Sequence, residues 1–248
     1  MAPSEALTPK APALIPEKEA RERLIVALDL PDFARAMELV DELDGVCKWF
    51  KVGLELYLAS GNSVVDELKR RGHSVFLDLK LHDIPNTVAG AVRSVSNLGV
   101  DLLTLHALGG PAMLSAAAAV SNPPRLLAVT VLTSMDQQQL AAIGISISPG
   151  EQALRLAAMA QESGIHGFVC SAQEVAGMRA TLSNPLLVIP GIRPTGAEVG
   201  DQKRVATPAS AIAAGANQLV VGRPITQAAN RRSVAQAILD EIAAALPR

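Results

Sequence analysis

From Arg23 onward the chain repeats one unit: a short apolar run, a few polar or Gly/Pro residues, a stretch with apolar positions at helical spacing, and a turn. The apolar runs predict strands near Leu24 to Asp29, Cys47 to Val52, Ser74 to Leu81, Asp101 to His106, Leu126 to Leu132, Gly167 to Cys170, Leu186 to Ile189 and Gln218 to Val221. Gly45, Gly72, Gly99, Gly164 and Gly215 each stand shortly before a new run, where a helix ends best on a left-handed residue. Eight strands separated by helices is the number at which a parallel sheet closes into a filled barrel, so the pattern predicts an α/β chain folded as a single-domain (β/α)8 TIM barrel. The barrel domain is expected over residues 21–248, behind a Pro/Ala-rich flexible tail over residues 1–20. An open doubly wound sheet is the competing architecture, but no Gly-x-Gly-x-x-Gly follows the first strand.

One run departs from this regularity. Phe76 to Thr87 reads Phe-Leu-Asp-Leu-Lys-Leu-His-Asp-Ile-Pro-Asn-Thr. Two-residue alternation along a strand puts Phe76, Asp78 and Lys80 on one face and Leu77, Leu79 and Leu81 on the other. A carboxylate and an ammonium then point into a space that a barrel core would otherwise fill with aliphatic groups. Asp83 follows as the strand ends, and Pro85 with Asn86 interrupts regular structure before a helix expected from about Thr87. A surface salt bridge is the bland reading of these charges. A shared cavity is the sharper one, since charges are rarely placed on the inner face of a buried strand without a use.

Other strand ends carry similar signals. Asp29 closes the first strand and Lys51 the second, giving acids and lysines in alternation from three successive strands. Each ammonium is then flanked by carboxylates that favour its charged form, which suits a proton donor better than a neutral nucleophile. Thr133 and Ser134 end the fifth strand with small hydroxyls. His106 ends the fourth and reads as a satisfied neighbour of the site, while His82, at the end of the motif strand, reads as packed or hydrogen-bonded outside the cavity. Ile189-Pro-Gly-Ile-Arg193 and Val221-Gly-Arg223 end the last two strands. Glycine lets backbone N–H groups approach an anion and arginine can bind it in a bidentate way, at the usual phosphate corner of a barrel. Between them, Thr195 to Lys203, with Gly196, Gly200 and Gln202, has the composition of a mobile lid or of an ordinary surface loop.

Composition narrows the class further. A net charge of -2 with 2% aromatic residues offers neither a basic groove nor a stacking platform, so nucleic acid is excluded as a main partner. No apolar run is long enough to cross a bilayer. Cys47 and Cys170 lie in separate apolar runs without metal-type spacing, as buried thiols do in a reducing compartment, and a cytoplasmic protein without metal or cofactor is expected.

The Phe76 to Thr87 run, with Ala27-Leu-Asp29, Phe50-Lys-Val-Gly53, Val131-Leu-Thr-Ser134, Pro190-Gly-Ile-Arg193 and Val221-Gly-Arg223, resembles the orotidine 5′-phosphate decarboxylases of bacterial type, which make UMP in pyrimidine biosynthesis. The resemblance implies that Lys80 is the proton donor to C6 of the pyrimidine and that Asp78 sits against the substrate carboxylate. It implies ribose and network roles for Asp29, Lys51, Asp83 and Thr87, the last two reaching across from a partner subunit in a homodimer with shared sites. The whole motif, including Leu79, Leu81, His82, Ile84, Pro85 and Asn86, is thereby taken as substrate-binding. Thr133 or Ser134 would meet the base, and Gln202, Gly222 and Arg223, with Arg193 nearby, would hold the phosphate. Two alternatives remain: a metal-dependent phosphosugar decarboxylase or aldol-type synthase on a similar barrel, or a non-catalytic nucleotide-binding barrel.

Overall fold

A computed structural model describes residues 15–194 and 205–246 of the chain. Its strands are β1 (Leu24–Ala27), β2 (Trp49–Gly53), β3 (Ser74–Leu81), β4 (Leu102–His106), β5 (Arg125–Val129), β6 (Gly167–Val169), β7 (Leu186–Ile189) and β8 (Gln218–Val221). Each pairs in parallel with the next, and β8 pairs with β1, closing the sheet. The (β/α)8 barrel expected from the pattern is therefore the fold. The glycines read as helix ends all have positive φ, from 66° at Gly99 to 105° at Gly215.

Strand alternation sorts the apolar residues into two concentric cores. Ile25, Ala27, Phe76, Leu102, Leu127, Val188 and Val220 fill the barrel interior, while the residues between them, such as Val26, Leu77, Leu103, Ala128, Leu187 and Leu219, face outward into the core shared with the helices. Phe76 is 2% exposed in the middle of the inner group, a burial that contributes on the order of 2 kcal/mol.

Several boundaries differ from expectation: β1 ends at Ala27, two residues before Asp29, and β2 runs over Trp49–Gly53 in place of Cys47 to Val52. Residues 15–20, read as tail, belong to a helix, Ile15–Arg23, that packs against the last helix, Arg231–Ala245. Ala20 is fully buried there among charged neighbours, in a segment whose composition resembles a linker. The helix expected from Thr87 starts at Pro85, because proline at the first helical position has its φ preset and no N–H to satisfy. Finally, β5 ends at Val129, and Thr133 with Ser134 lies in a turn beyond it.

Candidate active site

One step above the apolar layer, toward the C-terminal ends of the strands, the same inward parity selects Asp29, Lys51, Asp78, Thr104, Val129, Val169, Pro190 and Gly222. All but Thr104 line a cavity of about 310 Å³ whose floor includes Ala27, Phe76 and Val220. Lys80, Thr133, Ser134, Arg193 and Arg223 complete its walls. The barrel thus carries an apolar plug with a charged layer directly above it.

Asp78 is the centre of that layer. Its Oδ1 accepts from Lys80 Nζ at 2.8 Å and from Thr104 Oγ1 at 3.0 Å, and its Oδ2 lies 3.5 Å from Lys51 Nζ. Lys51 also donates to Asp29 at 2.8 Å. Gly53 leaves room for this pair: a Cβ there would lie 3.0 Å from Lys51 Nζ and 3.2 Å from Asp29 Oδ1. Burial pushes the Asp78 carboxyl up, but the charges of Lys51 and Lys80 and the hydrogen bonds from Lys80 and Thr104 outweigh it, leaving the pKa below the usual value. Burial pulls Lys51 down, and the charges of Asp78 and Asp29 with their hydrogen bonds more than offset that, leaving it raised. Both shifts favour the ionised pair. The Asp78 contribution to stability is present above the ordinary carboxylate range and lost as pH falls through its depressed pKa. That of Lys51 is present below the ordinary lysine range and lost as pH rises through its raised one.

Lys80 reaches the cavity by an irregular path. Between the pairs Leu77↔Leu103 and Leu81↔Leu105 the chain takes four steps along β3 against two along β4, and Lys80 has φ of 50°. Its side chain is 34% exposed, between Asp29 at 57% and the buried Lys51 and Asp78 at 10% and 12%. The opposite wall comes from β7, β8 and the residues after them. Arg193 is 9% exposed and donates to its neighbour's carbonyl, Ile192 O, at 2.9 Å. Gly191, at φ of 74°, turns the backbone past the cavity in a conformation that a side chain would disfavour. Gly222 and Arg223 lie beside it at the start of a single helical turn, Arg223–Thr226.

Among the residues expected at the site, Asp29, Lys51, Asp78, Lys80, Thr133, Ser134, Arg193, Gly222 and Arg223 line this one cavity. Leu79 and Leu81 pack instead against the outer core, as outward strand parity dictates. His82, Asp83, Ile84, Pro85, Asn86 and Thr87 are exposed on the rim and do not line the cavity of their own chain. Gln202 and the expected lid lie outside the described residues. His82 stacks on His106, ring centroids 5.4 Å apart, and His106 Nδ1 accepts from Leu108 N. Burial, with the neighbouring charges of His82 and Lys80, lowers the His106 pKa. Cys47 and Cys170 are buried and neither is in a disulfide, and burial pushes the Cys47 thiol up to about 12. Among the described residues no group of three or more His, Cys, Asp or Glu is placed to hold a metal ion. Thr104 went unread, although its parity with Leu102 and His106 marks it as inward.

Comparison with known proteins adds a name to this geometry. Residues 22–238 match the model of the orotidine 5′-phosphate decarboxylase / HUMPS family. The orotidine 5′-phosphate decarboxylase of Aliivibrio fischeri is 50% identical over 231 residues, covering 91% of this chain and 99% of the relative. That of Gloeothece citriformis is 52% identical over 228 residues, covering 90% and 98%. Among solved structures, the orotidine 5′-phosphate decarboxylase of Lactobacillus acidophilus superposes with a TM-score of 0.78 at 38% identity, over 89% of this chain and 99% of the other. The enzyme of Pyrococcus horikoshii does so with 0.71 at 27%, over 88% and 98%.

Proposed function

Because the chain belongs to the orotidine 5′-phosphate decarboxylase / HUMPS family and decarboxylates orotidine 5′-phosphate to UMP in pyrimidine biosynthesis, we propose that Lys80 is its proton donor and Asp78 its electrostatic partner. The observation that carries this assignment is Asp78 shared between Lys51 and Lys80 at the cavity wall, above an apolar floor.

When the bond from C6 to the carboxylate carbon breaks, the electron pair stays at C6 with no adjacent carbonyl to receive it. An ammonium fixed beside C6 stabilises that charge as it develops and then transfers a proton to C6; solvent reprotonates the lysine. Asp78 disfavours the ground-state carboxylate at the same spot more than it disfavours charge that has moved onto the ring. Asp29 and Lys51 hold this pair from the side and meet the ribose. Thr133 or Ser134 meets the base. Arg193, Gly222 and Arg223 hold the phosphate, with Gln202 as a fourth member. Phosphate binding contributes to closing the site around the reacting carbon.

The proposed mechanism uses no metal, since Lys51 and Lys80 already balance the acids where a divalent cation would sit. Loss of orotidine 5′-phosphate absorbance on adding purified protein should proceed at full rate in EDTA. Activity that disappears in chelator and returns with Mg²⁺ would overturn the metal-free mechanism and favour the chemistry of the phosphosugar enzymes.

The working form is proposed to be a homodimer with shared sites. Leu54, Leu58, Ile84 and Leu108 are 49%, 81%, 67% and 43% exposed on the connections that follow β2, β3 and β4. Exposed apolar groups on three successive connections at one mouth suit a symmetric partner. Asp83 and Thr87 stand on the same rim, exposed, and would enter the neighbour's cavity. A cytoplasmic location fits two cysteines outside any disulfide, and no helix among the described residues is long and apolar enough to cross a membrane.

A further inference from the structure

We propose that Thr104 is a positioning residue for the decarboxylation, its hydroxyl locking the irregular end of β3 so that Asp78 and Lys80 present their charged groups to one point. The inference rests on the roles assigned to those two residues above.

The irregularity creates a need that the hydroxyl meets. The Lys80 N–H lies inside the break in register between β3 and β4, where β3 takes two residues more than its neighbour. It donates to Thr104 Oγ1 at 2.8 Å. An N–H can only donate, so the hydroxyl accepts there and its own hydrogen is left for Asp78 Oδ1, 3.0 Å away. Asp78 Oδ1 in turn accepts from Lys80 Nζ at 2.8 Å. The four groups form a closed ring that leaves Lys80 at its backbone and returns to it at its ammonium. No apolar side chain of the same shape could serve both the Lys80 N–H and the carboxylate.

The ring has a rigid base. Thr104 is fully buried, outside the cavity lining, behind Asp78. Its backbone is held in the β4–β5 ladder opposite Leu127, and its branched Cβ restricts χ1. Lys80, by contrast, sits at φ of 50°, a conformation that L residues hold only when their surroundings fix it. Without the hydroxyl the Lys80 backbone loses that fixture and Asp78 loses one of its donors. Small displacements of a reacting pair carry large rate penalties.

Thr104→Val tests this. It keeps shape and branching but removes the donor and acceptor. With activity expressed per folded site, counted by UMP binding, kcat should fall about 10- to 100-fold while KM for orotidine 5′-phosphate moves less than about threefold. Thr104→Ser, which restores the oxygen, should return kcat to within about threefold of wild type. A residue of merely structural importance would lower thermal stability and leave kcat per folded site unchanged. Should the valine variant not fold, Thr104→Ala is read in the same way. Wild-type kcat in the valine or alanine variant, or a serine variant no better than valine, overturns the inference. Lys80→Ala run alongside separates the causes: if it is inactive, such a result removes Thr104 alone; if it still turns over, the assigned role of Lys80 falls and this inference with it.

Discussion

Lys51 and Lys69 stand at opposite mouths of the barrel, each with its ammonium 2.8 Å from an aspartate, Asp29 and Asp101 respectively. Distance does not distinguish them. At the N-terminal mouth Lys69 and Asp101 are 31% and 35% exposed, and each is the other's single ionic partner among the described residues. At the C-terminal mouth Lys51 is 10% exposed and spans two acids, one of which also serves a second lysine and a threonine. Cavity size misleads in the same way. Hollows of about 570 and 510 Å³ open beside Arg125 and Asn217 at the N-terminal mouth, larger than the 310 Å³ cavity above Phe76. Sharing of buried charges, and not volume or ion-pair length, separates the mouth proposed as the active site from the opposite one. Desolvation makes such a network expensive, and interactions that act on a developing charge are strongest in that setting.

The sharpest way to break this contrast is Lys80→Ala. It should abolish turnover while UMP still binds, because the role proposed for the ammonium is on the carbanionic state and the phosphate is assigned to the other wall. More than a few per cent of wild-type kcat would remove Lys80 as proton donor. The same variant tests whether the reactive mouth belongs to one chain or two. Asp83→Asn should be severely impaired alone, yet mixing it with Lys80→Ala under subunit exchange should restore roughly a quarter of wild-type activity, since half the dimers are mixed and half of their sites are whole. If exchange is verified by mass spectrometry of tagged chains and no activity returns, Asp83 serves its own chain.

A smaller effect is expected across the cavity. Arg223→Ala removes a charge-assisted phosphate contact, about 2 to 3 kcal/mol, so UMP binding should weaken roughly 30- to 150-fold. An analogue without phosphate should bind both forms alike. Equal weakening for that analogue would assign Arg223 to the base or ribose, or to the fold.

Much of the reactive mouth could be read in advance because inward strand parity and strand-end charge coincide in this fold. Asp29, Lys51 and Asp78 stand two residues beyond Ala27, Trp49 and Phe76, and each of those three packs in the inner core. The same step from Leu102 reaches Thr104, but an uncharged residue inside an apolar run sends no compositional signal. Lys80 arrived on the expected side through a break in register that alternation does not foresee. Leu79 and Leu81 are the reverse case, in which the motif lends a binding role to residues whose side chains pack against the outer core. The helix at Ile15–Arg23 was hidden by tail-like composition: Glu17–Arg21 and Glu19–Arg23 pairs stabilise it along its own length, and from Glu17 to Arg23 only Ala20 is fully buried.

The smallest effect belongs to the N-terminal mouth, and it is the control on which the comparison depends. Lys69→Ala removes a half-exposed ion pair and should cost at most about 1 kcal/mol in urea unfolding. Asp101→Ala should cost more, on the order of 1 to 3 kcal/mol, because Asp101 Oδ2 also accepts from Val75 N at 2.8 Å and Val75 is fully buried at the start of β3. Both variants should keep kcat and KM within about twofold of wild type, because the apolar plug of Phe76, Leu102 and Leu127 stands between Asp101 and the charged layer. A tenfold fall in kcat in Lys69→Ala, with stability intact, would show that β3 transmits strain from one mouth to the other. The two ends would then have to be treated as one electrostatic system.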